Sequence, residues 1–115
     1  MRLLLIAAFL AGCFPHERHW DGTNTVLEVT FAAELAVDGM QTRQIVADCQ
    51  EYNPVIGPCG DRVPLGAYIP LTGLLHLAVS YFLPPKARLV WQSVTVGAEG
   101  HVIYFNSIVP DQKRD

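Results

Sequence analysis

Glu34, Asp38 and Gln41 recur at steps of four and three residues, which sets their side chains on one stripe of a helix. Carboxylates so placed repel by roughly a few tenths of a kcal/mol, so the stripe either faces water or meets a cation or polar partner on another helix. The solvated face is the expected arrangement; burial of the second kind is how carboxylates acquire shifted affinities for protons, which keeps Glu34, Asp38 and Gln41 as the candidate interaction stripe. His76, Glu99 and His101 are the other groups suited to proton chemistry. The sequence pairs neither histidine with a partner, so both read as satisfied polar residues of a packed interior. His16 and His19 flank Glu17 but miss the zinc-protease spacing of two histidines on one helical face, and no third ligand stands near, so they read as a solvated linker. With no Ser, His and Asp spacing, no phosphate loop and no ligand cluster, the sequence predicts no catalytic residue, no metal and no cofactor.

The remaining chemistry belongs to three thiols. Cys13 ends the stretch MRLLLIAAFLAGC, in which one cation, Arg2, precedes an apolar run from Leu3 to Leu10 and the small residues Ala11 and Gly12. This is the layout of a signal peptide, because the run is far short of the roughly 20 residues that a spanning helix needs. Leu10, Ala11, Gly12 and Cys13 resemble the lipobox of bacterial lipoproteins. The resemblance implies a diacylglyceryl group on the Cys13 thiol, cleavage before Cys13, and a fatty-acyl chain such as palmitate on the new amino terminus. One chain alone holds a membrane only marginally and two or three hold firmly, since each buried methylene contributes roughly 0.8 kcal/mol. Phe14 in place of an aspartate implies, within that family, sorting to the outer membrane. The other two, Cys49 and Cys59, flank the turn-rich segment DCQEYNPVIGPCGDR. In an exported chain whose third cysteine carries lipid they form an even pair, and a bridge would contribute roughly 2 to 3 kcal/mol. The alternative is a reduced pair in a loop that stays in the cytoplasm.

The elements that must position these groups follow from pattern. Thr25 with Glu28 three residues later reads as a capping box, which predicts a helix from Asn24 to about Asp48. Val63–Leu83 carries no formal charge apart from a possible one on His76, and as a helix it is long enough to cross a bilayer, with Pro64 in its first turn and Pro70 inside. Gly66 and Gly73 offer small surfaces for close packing. Pro84 and Pro85 stop it, and Lys86 and Arg88 form a cationic turn. From Arg88 to about Ile108 helix and strand are both open, and a helical hairpin is the simplest unit after so short a turn. Gly97 and Gly100 then face the small residues of the preceding helix. In a bilayer Glu99 is functional by default, whereas in a water-facing groove it is unremarkable.

With 115 residues, 50% hydrophobic and 17% charged, the chain makes one small domain, and its net charge of -3 leaves no basic footprint for nucleic acid. The fold expected is all-α, a small three-helix arrangement of one amphipathic helix and a hydrophobic helical hairpin. Residues 1–12 read as signal peptide, 13–23 as a lipidated tether, 24–109 as a single helical domain and 110–115 as a polar tail. Charge suggests a topology. The acids Glu28, Glu34, Asp38 and Asp48 keep the first helix out of lipid, the cysteine loop is periplasmic, and residues 63–108 dip through the inner membrane with the cationic tip inward. That hairpin conflicts with outer-membrane sorting, and a soluble bundle beneath a lipid anchor is the version without it.

Asp38, Gln41 and Thr42, then Glu51, Asn53, Pro54 and Gly57, then Leu83, Pro84, Arg88, Trp91 and Gln92 resemble the motifs of a group of small bacterial and prophage-encoded membrane proteins. The resemblance spans roughly residues 34–108 and implies helical membrane segments without a particular activity; the lipobox and the loop cysteines depart from the group's pattern. The expected function is that of an envelope lipoprotein or small membrane protein with a structural or protein-interaction role, anchored in the cell envelope and facing the periplasm, inner or outer membrane being open. Its partners are membrane lipid, through Cys13 and residues 63–108, and another envelope protein. A phage-derived envelope modifier, in lysis or exclusion, is the alternative, and a small enzyme or metal-binding protein ranks below both.

Overall fold

The structure, a computed structural model, describes residues 19–108. Cys13, the signal segment, most of the tether and the polar tail lie outside the described residues. The chain forms three helices and, among the described residues, no strand: α1 (Gly22–Ala47), α2 (Leu65–Phe82) and α3 (Pro85–Ile108). The all-α expectation holds, and the open choice for the last segment resolves as helix.

α1 is capped four residues ahead of the expected place, at Asp21 and not Thr25. Asp21 accepts from the Asn24 backbone N–H at 2.9 Å while Asn24 Oδ1 accepts from the Asp21 N–H at 3.1 Å, a reciprocal box that satisfies two donors at the helix start. The Thr25 and Glu28 capping box is therefore wrong. Thr25 already lies within the helix and accepts from Trp20 Nε1 at 2.9 Å, and Glu28 points into the bundle. Residues 19–23, assigned to the tether, belong to the folded domain.

α1 ends at a turn in which Cys49 takes a left-handed conformation (φ 54°), and the loop to α2 is closed by a disulfide between Cys49 and Cys59. Asn53 organises this loop. Its Oδ1 accepts from the Val55 N–H at 3.0 Å, and its Nδ2 donates to Tyr68 Oη at 3.0 Å, which ties the loop to α2. Gly57 has φ 82°, and a Cβ there would collide with the Asp61 carboxylate, so both conformation and space require glycine. Pro64 stands at the cap of α2, and the helix continues through Pro70. Leu83 and Pro84 turn the chain directly into α3.

α1 and α3 run parallel and α2 runs antiparallel to both. Asn24 meets Gln92 near the amino ends of α1 and α3, and Asp38 meets Asn106 near their carboxyl ends. One pole of the bundle thus gathers the start of α1 and the α2–α3 turn. The other holds the disulfide loop and the end of α3. This overturns the expected topology in which the hairpin tip and the amino-terminal tether lie on opposite sides, because α1 packs along the whole length of α3 instead of standing apart from it. The glycines also pack differently than expected. A Cβ on Gly100 would stand 3.2 Å from Glu34 Oε1, so Gly100 faces α1, while Gly97 and Gly66 face open space.

The distribution of polarity is inverted. Within the helices only Phe31 and Leu35 are buried apolar residues, whereas Asn24, Thr42, His76, Ser80, Arg88 and Gln92 are buried polar ones. Outside, Val26, Val29, Leu71, Leu74, Leu75 and Val94 are each more than 60% exposed. α2 is long and apolar enough to cross a membrane, and its two buried residues are His76 and Ser80.

Candidate functional site

The site is the polar interior, and it has two levels. At the first, α2 brings His76 and Ser80, one turn apart, against Glu28 of α1. Glu28 Oε1 lies 2.8 Å from His76 Nδ1, and Glu28 Oε2 accepts from Ser80 Oγ at 3.1 Å and from Gln92 Nε2 at 2.8 Å. One carboxylate thereby joins three helices. Gln92 closes the level by accepting from Asn24 Nδ2 at 3.0 Å.

The far side of the His76 ring is also engaged, with Nε2 at 2.7 Å from Thr95 Oγ1. Stacking fixes the ring plane: Phe31 lies 3.7 Å away, centroid to centroid, and Trp91 5.1 Å away on α3. Thr95 has one hydroxyl hydrogen and three acceptors for it, His76 Nε2, the Trp91 carbonyl at 2.8 Å and the Gln92 carbonyl at 3.1 Å. When that hydrogen goes to a carbonyl, Nε2 must itself donate, and when it goes to Nε2 the ring accepts there. Rotation of one hydroxyl therefore accompanies any change in which ring nitrogen carries a hydrogen.

Nearer the disulfide pole is the second level, built by α1 and α3. Asp38 Oδ1 accepts from Thr42 Oγ1 at 3.2 Å and from Asn106 Nδ2 at 3.0 Å, and the Asp38 and Glu99 carboxyls share a hydrogen bond. Gln41 Nε2 donates to Ser107 Oγ at 3.0 Å and to the Ile103 carbonyl at 3.3 Å. Glu34 comes against Gly100, where the missing side chain lets the carboxylate approach the α3 backbone. The expected solvated face for the Glu34, Asp38 and Gln41 stripe is therefore wrong: the stripe meets polar partners on α3. Glu34 Oε2, Gln41 Oε1 and Glu99 Oε1 are buried atoms without a protein partner, as is Trp91 Nε1 beside His76.

Arg88 caps the opposite pole. It is fully buried, and its guanidinium donates to the carbonyls of Ser80 (2.7 Å), Leu83 (3.0 Å), Tyr81 (3.3 Å) and His19 (2.7 Å), with the Trp20 ring 5.2 Å away. The cationic-turn reading therefore fails for Arg88 and stands for Lys86, which is exposed. The reason is that the carboxyl end of α2 leaves carbonyls without helical partners, and a planar guanidinium reaches several at once.

Sequence reasoning placed His76 among satisfied interior residues, which is where it lies, and it missed Glu28, Ser80, Gln92 and Thr95. A signal was present. Asn24, Glu28, Phe31, Leu35, Asp38 and Thr42 on α1, and Arg88, Gln92, Thr95 and Glu99 on α3, step by alternating fours and threes, the spacing of a helix–helix seam. His101 is exposed and stands apart from the site, and among the described residues no group of three or more His, Cys, Asp or Glu is arranged to hold a metal ion. Comparison with protein-family models, with curated proteins and with solved structures finds no match.

Proposed function

We propose that this chain is a small membrane-embedded protein of the bacterial envelope, which acts through contacts with another envelope component and not as an enzyme. The observation that supports it is the inverted polarity. Large apolar side chains turned outward are unfavourable in water and neutral against acyl chains, while polar residues inside replace the hydrophobic core that lipid cannot drive. Both Glu28 oxygens, both His76 ring nitrogens and the Arg88 guanidinium are taken up by other groups of the bundle, which favours a role in holding helices together over turnover of a substrate.

Lipid on Cys13 supplies a second anchor six residues before His19, whose carbonyl is held at the α2–α3 turn. A bundle that crosses the membrane then carries the Cys49–Cys59 bridge on the opposite side.

Alkaline carbonate extraction of the wild type beside Cys13→Ser tests the reading. Both chains are expected to stay with the membrane, because the apolar exterior suffices. Release of Cys13→Ser alone would show that lipid is the sole anchor and that residues 19–108 are water-soluble.

A further inference from the structure

We propose that the interior of the bundle conducts protons, passed along its length by Glu28, His76, Thr95, Glu99 and Asp38. The inference rests on the membrane reading above. Ionisable residues inside a membrane protein are costly and face the bundle interior, where chains of Asp, Glu and His serve as proton relays. Here Glu28, Glu34, Asp38, His76 and Glu99 all lie inward, and all have hydrogen-bonding neighbours or buried oxygens along the seam between α1 and α3.

The steps balance at each group. A proton on Glu28 Oε1 passes to His76 Nδ1 across 2.8 Å, and the ring releases a different proton from Nε2 to Thr95 Oγ1 across 2.7 Å. As Thr95 receives it, the hydroxyl gives up its own hydrogen and directs the new one at Nε2, so one proton enters and one leaves while the ring exchanges its Nε2–H for an Nδ1–H. Thr95 and Glu99 are one helical turn apart, about 6 Å of rise, a gap that one water spans. Glu99 Oε1 is buried without a protein partner and receives the proton there, and its hydrogen bond to Asp38 carries it on. Two carboxylates in hydrogen-bond contact hold a proton between them, which makes this pair a store as well as a step. Asn106 donates to Asp38 and orients that carboxylate at the end of the relay nearer the disulfide pole. Facing His76 from α1 is Glu28, and from α3 the nearest charged groups are Glu99, a turn beyond Thr95, and Arg88, a turn beyond Gln92.

The test uses the full-length protein, purified in detergent and reconstituted into phosphatidylcholine–phosphatidylglycerol vesicles with an entrapped pH dye, with a valinomycin-imposed potassium potential as driving force. Flotation on a density gradient first checks insertion. Wild-type vesicles should acidify faster than empty ones, Glu99→Gln should lose that flux while floating normally, and His76→Gly should lose it and regain it when imidazole is added. Floated protein without flux above empty vesicles overturns the relay and leaves the membrane reading intact. Flux unchanged in both variants also overturns it, since the protons then travel elsewhere. Protein that fails to float overturns the membrane reading and the relay together.

Discussion

The two levels of the interior are built from the same residue types and differ in how completely they are paired. Around Glu28 three helices converge and the side chains engage one another. Around Glu99 two helices meet, three carboxylates crowd together, and buried oxygens lack protein partners. The first arrangement specifies how α2 docks, because hydrogen bonds between side chains of three helices in a low dielectric are directional and intolerant of slippage. The second leaves buried carboxylate oxygens without protein partners, where a proton can be held.

Substitutions sharpen the contrast. Glu28→Ala leaves His76, Ser80 and Gln92 without their common partner and should cost about 3 kcal/mol, the low end for breaking a buried pair. The loss is read by reversible unfolding in mixed micelles, and an effect below about 1 kcal/mol would mean that α2 docks by apolar contact. Arg88→Met strips four carbonyls of their donor and should cost about 2 kcal/mol in the same assay, as expected for hydrogen bonds to a charged group. Glu99→Gln should instead stabilise the bundle by about 0.5 kcal/mol, because an amide donates to Asp38 without adding a second negative charge. A destabilisation there of the size expected for Glu28→Ala would erase the distinction between the levels.

The same contrast explains what was legible in the sequence. The proline turn at Pro84–Pro85, the loop between Cys49 and Cys59, and helices to either side follow from local rules of φ, hydrogen bonding and spacing, and those rules act alike in water and in lipid. Which face of each helix turns inward does not follow locally. Val26, Val29, Val90 and Val94 have the composition of core positions in a water-soluble bundle, and here they are more than 60% exposed. Glu28 was misread for a related reason, since three residues after Thr25 it satisfies a capping pattern that Asp21 and Asn24 satisfy better. The Glu34, Asp38 and Gln41 stripe was visible as a stripe. Its direction depended on Asn106, Glu99 and Gly100, more than 55 positions away, which no helical period can reveal.

The contact between Arg88 and the His19 carbonyl has a mechanical consequence. It pins the chain at residue 19, so whatever precedes that point pulls on the α2–α3 turn and not on a fraying helix end. From Cys13 to this pin the backbone can extend at most about 21 Å. A lipid there makes a leash shorter than α1 itself, whose 26 residues rise about 39 Å. Lipid at Cys13 would thereby fix which end of the bundle lies nearest the lipidated membrane face, the end that holds the α2–α3 turn.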